Sequence, residues 1–355
     1  MNTATSCARR WRAMRSLEED QDAMTTITRP APLLLRVAQT RELNPLIRLI
    51  RLRAADGAVL PGYGAGAHVG VHVELPDGKT DWRPYSLVNL STQADACDTP
   101  TEYVIAVRRE DEGRGGSRFM HERVHTGQLL TIEPPKNEFA LREQPGCAVL
   151  VAGGIGITPL ASMAARRVAQ GAPVRMHYAG RSRELMAFLP ELEQLLGGSL
   201  HVHADAEAGS ALDVDALLDG CAEQDQLYVC GPKPLLDAVL AKTRARGWTR
   251  ERVHFEVFTA PVVAAGDHAF EVVLAQSGRS LTVPAGTSIL DCLIAAGCDP
   301  MFDCKRGECG VCAAPVLEGE IDHRDYVLSE REKREGNVIQ TCISRCKGQR
   351  LVLDL

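Results

Sequence analysis

Hydrophobic and polar positions follow three successive rhythms along the 355 residues. Between about 30 and 141, short apolar or alternating runs (46–52, 68–75, 103–107 and 129–132) are separated by Gly and Pro turns. Successive residues of a strand face opposite ways, so runs of this length and spacing predict a small antiparallel β-barrel. From 147 to 258 apolar runs at 148–152, 174–178, 201–204 and 226–230 alternate with helical stretches, among them 184–196 and 234–246. That alternation predicts βαβ units on a parallel sheet. A hairpin pattern at 270–274 and 280–283 then opens a third, β-rich module. The expected organisation is an N-terminal extension over 1–28, modules over 29–143 and 144–258, a linker over 259–268 and a last module over 269–355.

Composition narrows the class. The chain is 45% hydrophobic and 24% charged, and its longest apolar runs are far shorter than a bilayer span, so a soluble multidomain protein is expected. A formal charge of -6 gives the whole chain no attraction to nucleic acid. In the extension, Arg9, Arg10, Arg12 and Arg15 are followed by acidic residues rather than an apolar segment. No secretory signal is therefore expected, and Met24 is an alternative start. Twelve cysteines spread over this length do not resemble a small disulfide framework; reduced thiols with a metal or cluster site fit better and point to the cytoplasm.

Cys304, Cys309 and Cys312 are spaced C-x4-C-x2-C, and Cys342 follows after a strand-like run at 338–342. This is the spacing of plant-type [2Fe–2S] ligands, whereas structural zinc sites generally use two C-x2–4-C pairs. Gly307 and Gly310 permit the tight wrap and leave backbone N–H groups to point at the sulfurs. Cys298 and Cys346 lie outside the pattern, and Cys7, Cys97, Cys147, Cys221 and Cys292 have no partner pattern; all read as buried small side chains or free thiols.

Two turns carry nucleotide chemistry. Gly153, Gly154 and Gly156, followed by Thr158 and Pro159, connect an apolar strand to a helix. Such glycines let a backbone approach a pyrophosphate at a helix N-terminus, although this is not the G-x-G-x-x-G fingerprint. Cys230, Gly231 and Pro232 end a second strand in the same way, and two such turns at the carboxyl edge of a parallel sheet make a ligand crevice. Arg181 and Ser182 would reach the same edge, where they could meet ribose or phosphate, or be surface residues at a helix start. Upstream, Arg83, Pro84, Tyr85 and Ser86 put a cation, a ring and a hydroxyl on one strand, with Arg83 and Tyr85 on one face. Arg108, Arg109 and the loop containing Gly115, Gly116 and Ser117 suit a single terminal phosphate. Taken alone, the Arg-x-Tyr-Ser run also fits an ordinary surface strand.

In order along the chain, RPYSLVN, VIAVRREDEGRGGS, VAGGIGITP, YVCGP, HFEVF, CKRGECGVC and LEGEIDHRDYVLSEREK resemble the phthalate dioxygenase reductase family, and most closely its vanillate O-demethylase reductase branch. The resemblance runs from about residue 30 to the C-terminus. It implies an antiparallel FMN-binding barrel, an α/β NAD-binding domain and a β-grasp-like plant-type ferredoxin domain. By matched position, Arg83, Pro84, Tyr85 and Ser86 would hold the flavin, and Arg109 with 115–117 would complete its phosphate site. Phe258 would lie near the flavin, with Thr158 and Cys230 near the flavin–nicotinamide junction. Hydride from NADH carries two electrons and a [2Fe–2S] centre takes one, so an intervening flavin resolves the mismatch without a side-chain acid, base or nucleophile. The resemblance implies a reductase whose partner is the terminal oxygenase of a Rieske-type dioxygenase or O-demethylase, and the chain is expected to be a monomer. FAD in a di-iron hydroxylase reductase, NADPH in place of NADH, and a non-enzymatic redox or zinc scaffold remain the alternatives.

Overall fold

The computed structural model describes residues 31–93, 96–258 and 266–355. The extension over 1–28, Met24 and most of the expected linker lie outside the described residues. Two compact units divide the chain after Phe258.

The first unit contains two sheets. Strands β1 (Leu33–Asn44), β2 (Ile47–Ala54), β3 (His68–Glu74), β4 (Thr80–Ser86), β5 (Tyr103–Arg108) and β6 (Leu129–Ile132) form an antiparallel sheet in the order β4-β3-β6-β1-β2-β5. A bridge between Leu87 and Ile105 brings the end of β4 back to β5 and curls the sheet toward a barrel. Its interior is filled by fully buried side chains such as Val37, Ile50, Val69, Val71, Ile105 and Ile132. Helix α1 (Gly116–Glu122) follows β5. Pro84 is exposed on β4, the last strand in the sheet order, where a missing N–H costs least.

The second sheet is wholly parallel, in the order β11-β10-β7-β8-β9, from β7 (Ala148–Gly153), β8 (Val174–Gly180), β9 (Leu200–Ala204), β10 (Gln226–Cys230) and β11 (Val253–Glu256). All six residues of β7 are buried, as expected of a strand covered on both faces. Crossover helices include α2 (Ile157–Ala169), α3 (Leu189–Leu196) and α4 (Lys233–Ala245). The helix expected over 184–196 is split: a 3-10 turn at Arg183–Leu185 precedes α3, and Phe188 between them has φ +60. Pro190 in the first turn of α3 sets where the helix can begin. One apolar cluster joins the two sheets, combining Ile47, Leu49, Val88, Ala106 and Phe139 with Leu150, Ile157, Met163 and Tyr178.

The second unit has its own core. Its mixed sheet runs β13-β12-β18-β14-β16, from β12 (Phe270–Leu274), β13 (Arg279–Val283), β14 (Ala313–Glu318), β16 (Val338–Gln340) and β18 (Arg350–Leu353); β12 and β18 are parallel neighbours. A two-stranded ladder pairs β15 (Ile321–Asp322) with β17 (Arg345–Cys346). Helix α5 (Ile289–Ala295) contributes Ile289 and Leu293 to the core, and α6 (Glu330–Glu335) is closed by a capping box on Ser329. The strand expected over 338–342 stops at Gln340, because the chain turns there to present Cys342.

Candidate functional site

In the first unit, Arg83 lies across the start of α1. A Cβ on Gly116 would come within 2.8 Å of both Cγ and Nε of Arg83, so only glycine fits beneath that side chain. Gly115 has φ +90, and a Cβ there would meet Pro76 Cδ at 2.3 Å. Arg83 Nη1 pairs with Asp81 at 2.6 Å, while Nη2 is buried and makes no hydrogen bond. A buried guanidinium N–H left open beside a glycine loop fits an anionic group such as a flavin phosphate. Tyr85 lies close enough to feel the Arg83 charge, although burial is the larger influence and pushes its phenol up. Ser86 is buried and Pro84 exposed.

The other expected phosphate ligands already have local partners. Arg108 pairs with Glu110 at 2.9 Å, and Arg109 with Asp111 at 2.6 Å and Glu122 at 3.0 Å. Ser117 Oγ accepts the Glu110 N–H at 3.0 Å. An anion bound by these groups would compete with carboxylates, which leaves Arg83 as the better prepared donor.

The two nucleotide turns meet at the carboxyl edge of neighbouring strands β7 and β10. A Cβ on Gly156 would sit 2.1 Å from the Cys230 carbonyl oxygen, and one on Gly153 would sit 2.6 Å from Pro232 Cδ. Gly231 is packed less tightly, with its added Cβ 3.0 Å from Gly153 Cα. Gly154 adopts φ +53 in a 3-10 turn (Gly154–Gly156) that leads into α2. Thr158 and Pro159 are buried in the first turn of α2, and Thr158 Oγ1 donates to Ile155 O at 3.0 Å. Cys230 is buried and Pro232 caps α4. Phe258 lies just beyond β11, which pairs with β10, and packs partly buried against the joint core.

Arg181 and Ser182 leave the end of β8, next to β7 in the sheet. Arg181 is exposed; the Ser182 hydroxyl bonds Glu184 and holds its carboxyl below the usual range. The neighbouring Arg183 is occupied by Glu193 at 3.4 Å and Glu207 at 3.2 Å.

A further contact had little sequence signal. Ser162, buried in α2, donates to Leu87 O at 2.7 Å and accepts the Asn89 N–H at 2.8 Å. It ties the helix after the glycine turn to the strand end after the Arg-Pro-Tyr-Ser run. A second hydroxyl in an Ala-rich helix, after Thr158, is its only trace in the sequence.

In the second unit the four cysteines converge as two pairs. The Cys309 thiol hydrogen-bonds Cys304, drawing its thiol down to about 5, helped by the N–H groups of Arg306, Glu308 and Cys309 itself. The Cys342 thiol does the same for Cys312, which falls to about 7 with help from the Cys342 N–H and the Thr341 hydroxyl. The donors Cys309 and Cys342 are pushed up for the complementary reason. The Gly307 N–H meets Cys342, and the Val311 N–H meets Cys309. Cys304 is close enough to influence both members of the other pair. Two thiol pairs surrounded by inward N–H groups provide two sulfurs for each of two irons, so the donor set fits a [2Fe–2S] cluster. Gly307 and Gly310 have φ +76 and +81. Cys312 and Cys342 are buried, while Cys309 is exposed.

A family described as "Oxidoreductase NAD-binding domain" matches residues 150–241, and one described as "2Fe-2S iron-sulfur cluster binding domain" matches 272–347. The chain is 41% identical over 320 residues to a putative toluene-4-sulfonate monooxygenase system reductase subunit of Comamonas testosteroni, covering 90% of this chain and 98% of the relative. It is 35% identical over 320 residues to a vanillate O-demethylase oxidoreductase of Acinetobacter baylyi, with the same coverage of 90% and 98%. A solved phthalate dioxygenase reductase, described as a modular structure for electron transfer from pyridine nucleotides to [2Fe–2S], matches at 36% identity and TM-score 0.69, covering 91% of this chain and 98% of that one. With a flavin-binding antiparallel sheet, an NAD-binding parallel sheet and a ferredoxin-like [2Fe–2S] domain in one polypeptide, the chain belongs to the phthalate dioxygenase reductase family of NAD(P)H-dependent flavin iron–sulfur oxidoreductases.

Proposed function

We propose that this chain is the NADH-oxidising, FMN-containing reductase component of a Rieske-type aromatic-ring dioxygenase or O-demethylase. The observation that carries the flavin assignment is Arg83, whose buried, open Nη2 lies beside the glycine loop at the start of α1. One cation and one short loop suit a single terminal phosphate, which favours FMN over FAD. In this reading the flavin site uses Arg83, Pro84, Tyr85, Ser86, Arg108, Arg109, Gly115, Gly116, Ser117 and Phe258. Gly153, Gly154, Gly156, Thr158, Pro159, Arg181, Ser182, Cys230, Gly231 and Pro232 line the nucleotide crevice. Cys304, Cys309, Cys312 and Cys342 hold the cluster. The domains run over 29–143, 144–258 and 269–355, joined by 259–268.

When bound, the flavin accepts hydride and the cluster takes electrons singly, matching a two-electron donor to a one-electron acceptor. The protein supplies position. The glycine turns bring backbone close to the dinucleotide, Arg83 anchors the phosphate, and the inward N–H groups steady the cluster sulfurs. The terminal oxygenase is read from the relatives' roles in oxygenase and demethylase systems. A cytoplasmic setting suits twelve cysteines in a chain of this length with a proposed iron–sulfur site, and a monomer is the expected state.

Anaerobic titration followed in the visible tests this directly. NADH should bleach both flavin and iron–sulfur absorption, NADPH should do so far less well, and acid should release FMN. Released FAD, or equal response to both nucleotides, would refute the corresponding assignment. Reconstitution with a Rieske oxygenase encoded alongside the reductase tests the partner.

A further inference from the structure

Cysteine spacing does not account for a group of polar side chains directly behind the cluster loop. The Asp325 side chain has 0% exposure. Its Oδ1 accepts the N–H groups of Val327 at 3.1 Å and Leu328 at 2.7 Å, closing a tight turn. That turn supports both glycines of the cluster loop. Tyr326 N–H donates to Gly307 O at 3.0 Å, and a Cβ on Gly307 would lie 3.4 Å from Asp325 Cα. A Cβ on Gly310 would lie 3.1 Å from Val327 Cγ1. Gly307 in turn directs its N–H at the Cys342 sulfur.

The other carboxylate oxygen serves no turn. Asp325 Oδ2 is buried and lies 3.6 Å from His323 Nδ1; the His323 ring nitrogens are buried too, and the Asp325 carboxylate and the Lys333 backbone favour its protonated form against the larger effect of burial. Lys333 Nζ is spent on the Asp325 carbonyl oxygen at 2.8 Å. A turn of this kind needs a single acceptor, which Asn or Ser provides without burying a charge. A carboxylate kept here at a desolvation cost therefore has a further use.

We propose that Asp325, oriented by His323, is a positioning residue for the iron–sulfur centre: it fixes the path of loop 304–312, holds the loop's N–H groups on the sulfurs, and places a negative charge behind the cluster that lowers its reduction potential. The inference rests on the assignment of Cys304, Cys309, Cys312 and Cys342 to a [2Fe–2S] cluster. N–H donors to sulfur and nearby net charge are among the features through which a protein sets such a potential.

The test uses the full-length, cofactor-loaded protein. Asp325→Asn keeps an acceptor for the turn and removes the charge. Its cluster midpoint potential, from a mediated dithionite titration, should move positive, and the electron paramagnetic resonance spectrum of the reduced cluster should change. His323→Gln should change that spectrum with a smaller shift in potential. A variant that retains iron but shows wild-type potential and spectrum overturns the proposal, even if it unfolds at a lower temperature. If Asp325→Asn fails to hold iron, His323→Gln is decided by the same two readings. A wild-type protein without iron or a reduced-cluster signal would instead overturn the cluster assignment itself.

Discussion

At the nucleotide crevice, Gly153 and Gly156 have ordinary negative φ values of -125 and -61, and what the chain lacks there is room. The carbonyl of Cys230 occupies the place where the Gly156 side chain would begin. In the cluster loop, Gly307 and Gly310 adopt left-handed backbone, and their near neighbours include the side chains of Ile343 and Val327. At Gly156 backbone meets backbone, and at Gly153 the obstruction is the Pro232 ring and Leu235, so the crevice yields little. The cluster loop is a bend supported by side chains and buried polar groups, so it can be tuned. A fixed crevice suits a ligand that comes and goes, and an adjustable cradle suits a resident centre.

The sharpest break of that comparison is Cys309→Ser. Reduction of cytochrome c or of the oxygenase should fall by at least ~100-fold with a cluster ligand gone, while NADH–ferricyanide turnover persists. Equal loss of both activities, in a folded and flavin-loaded variant, would show that the two regions do not serve separate half-reactions. Gly156→Ala comes next. Overpacking costs about 1–3 kcal/mol, so NADH-driven flavin reduction should slow by roughly 10–100-fold while dithionite still reduces the cluster. Stopped-flow rates near wild type would show that the crevice can give after all. Arg83→Met should weaken flavin retention by about 10-fold or more, since hydrogen bonds to charged groups are worth ~1.5–3 kcal/mol; equilibrium dialysis of the released flavin reads it. The smallest effect concerns pH. Burial holds His177 and His254, both in the parallel sheet, down to about 4. Their unfolded forms bind protons that the folded forms refuse, so this stabilising contribution is complete above about 6.5 and is lost as pH falls toward 4. The urea midpoint of the first unit should drop between pH 7 and 5, and less steeply in His177→Phe; identical slopes would contradict the assignment.

Much of this was readable because it is local. Strand runs such as 103–107 and 226–230 reappear as β5 and β10, and the cysteine spacing marks a loop whose sulfurs meet. The early start assigned to α3 failed because helical periodicity continued through Phe188, while Pro190 carried the better signal. The strand at 338–342 ended early because apolar character does not reveal where a ligand must turn out of a sheet. Ser162 and Asp325 act across long stretches of chain, on Leu87 and beside Gly307, and a pattern confined to neighbours cannot see such contacts. Arg109 is a candidate by its position in the sequence, and its pairing with Asp111 and Glu122 arises only in the fold.

The apolar cluster shared by the two sheets of the first unit also bears on how such a protein can be recombined. A chimera cut between the antiparallel and parallel sheets would strip cover from Ile47, Leu49, Val88, Ala106 and Phe139 on one side and from Leu150, Ile157 and Met163 on the other. Each half would then expose the kind of broad greasy surface that drives aggregation. A cut after Phe258 divides two separately cored units instead. The grafting point for new electron outlets is therefore after the second sheet, and flavin and nucleotide handling should be inherited as one piece.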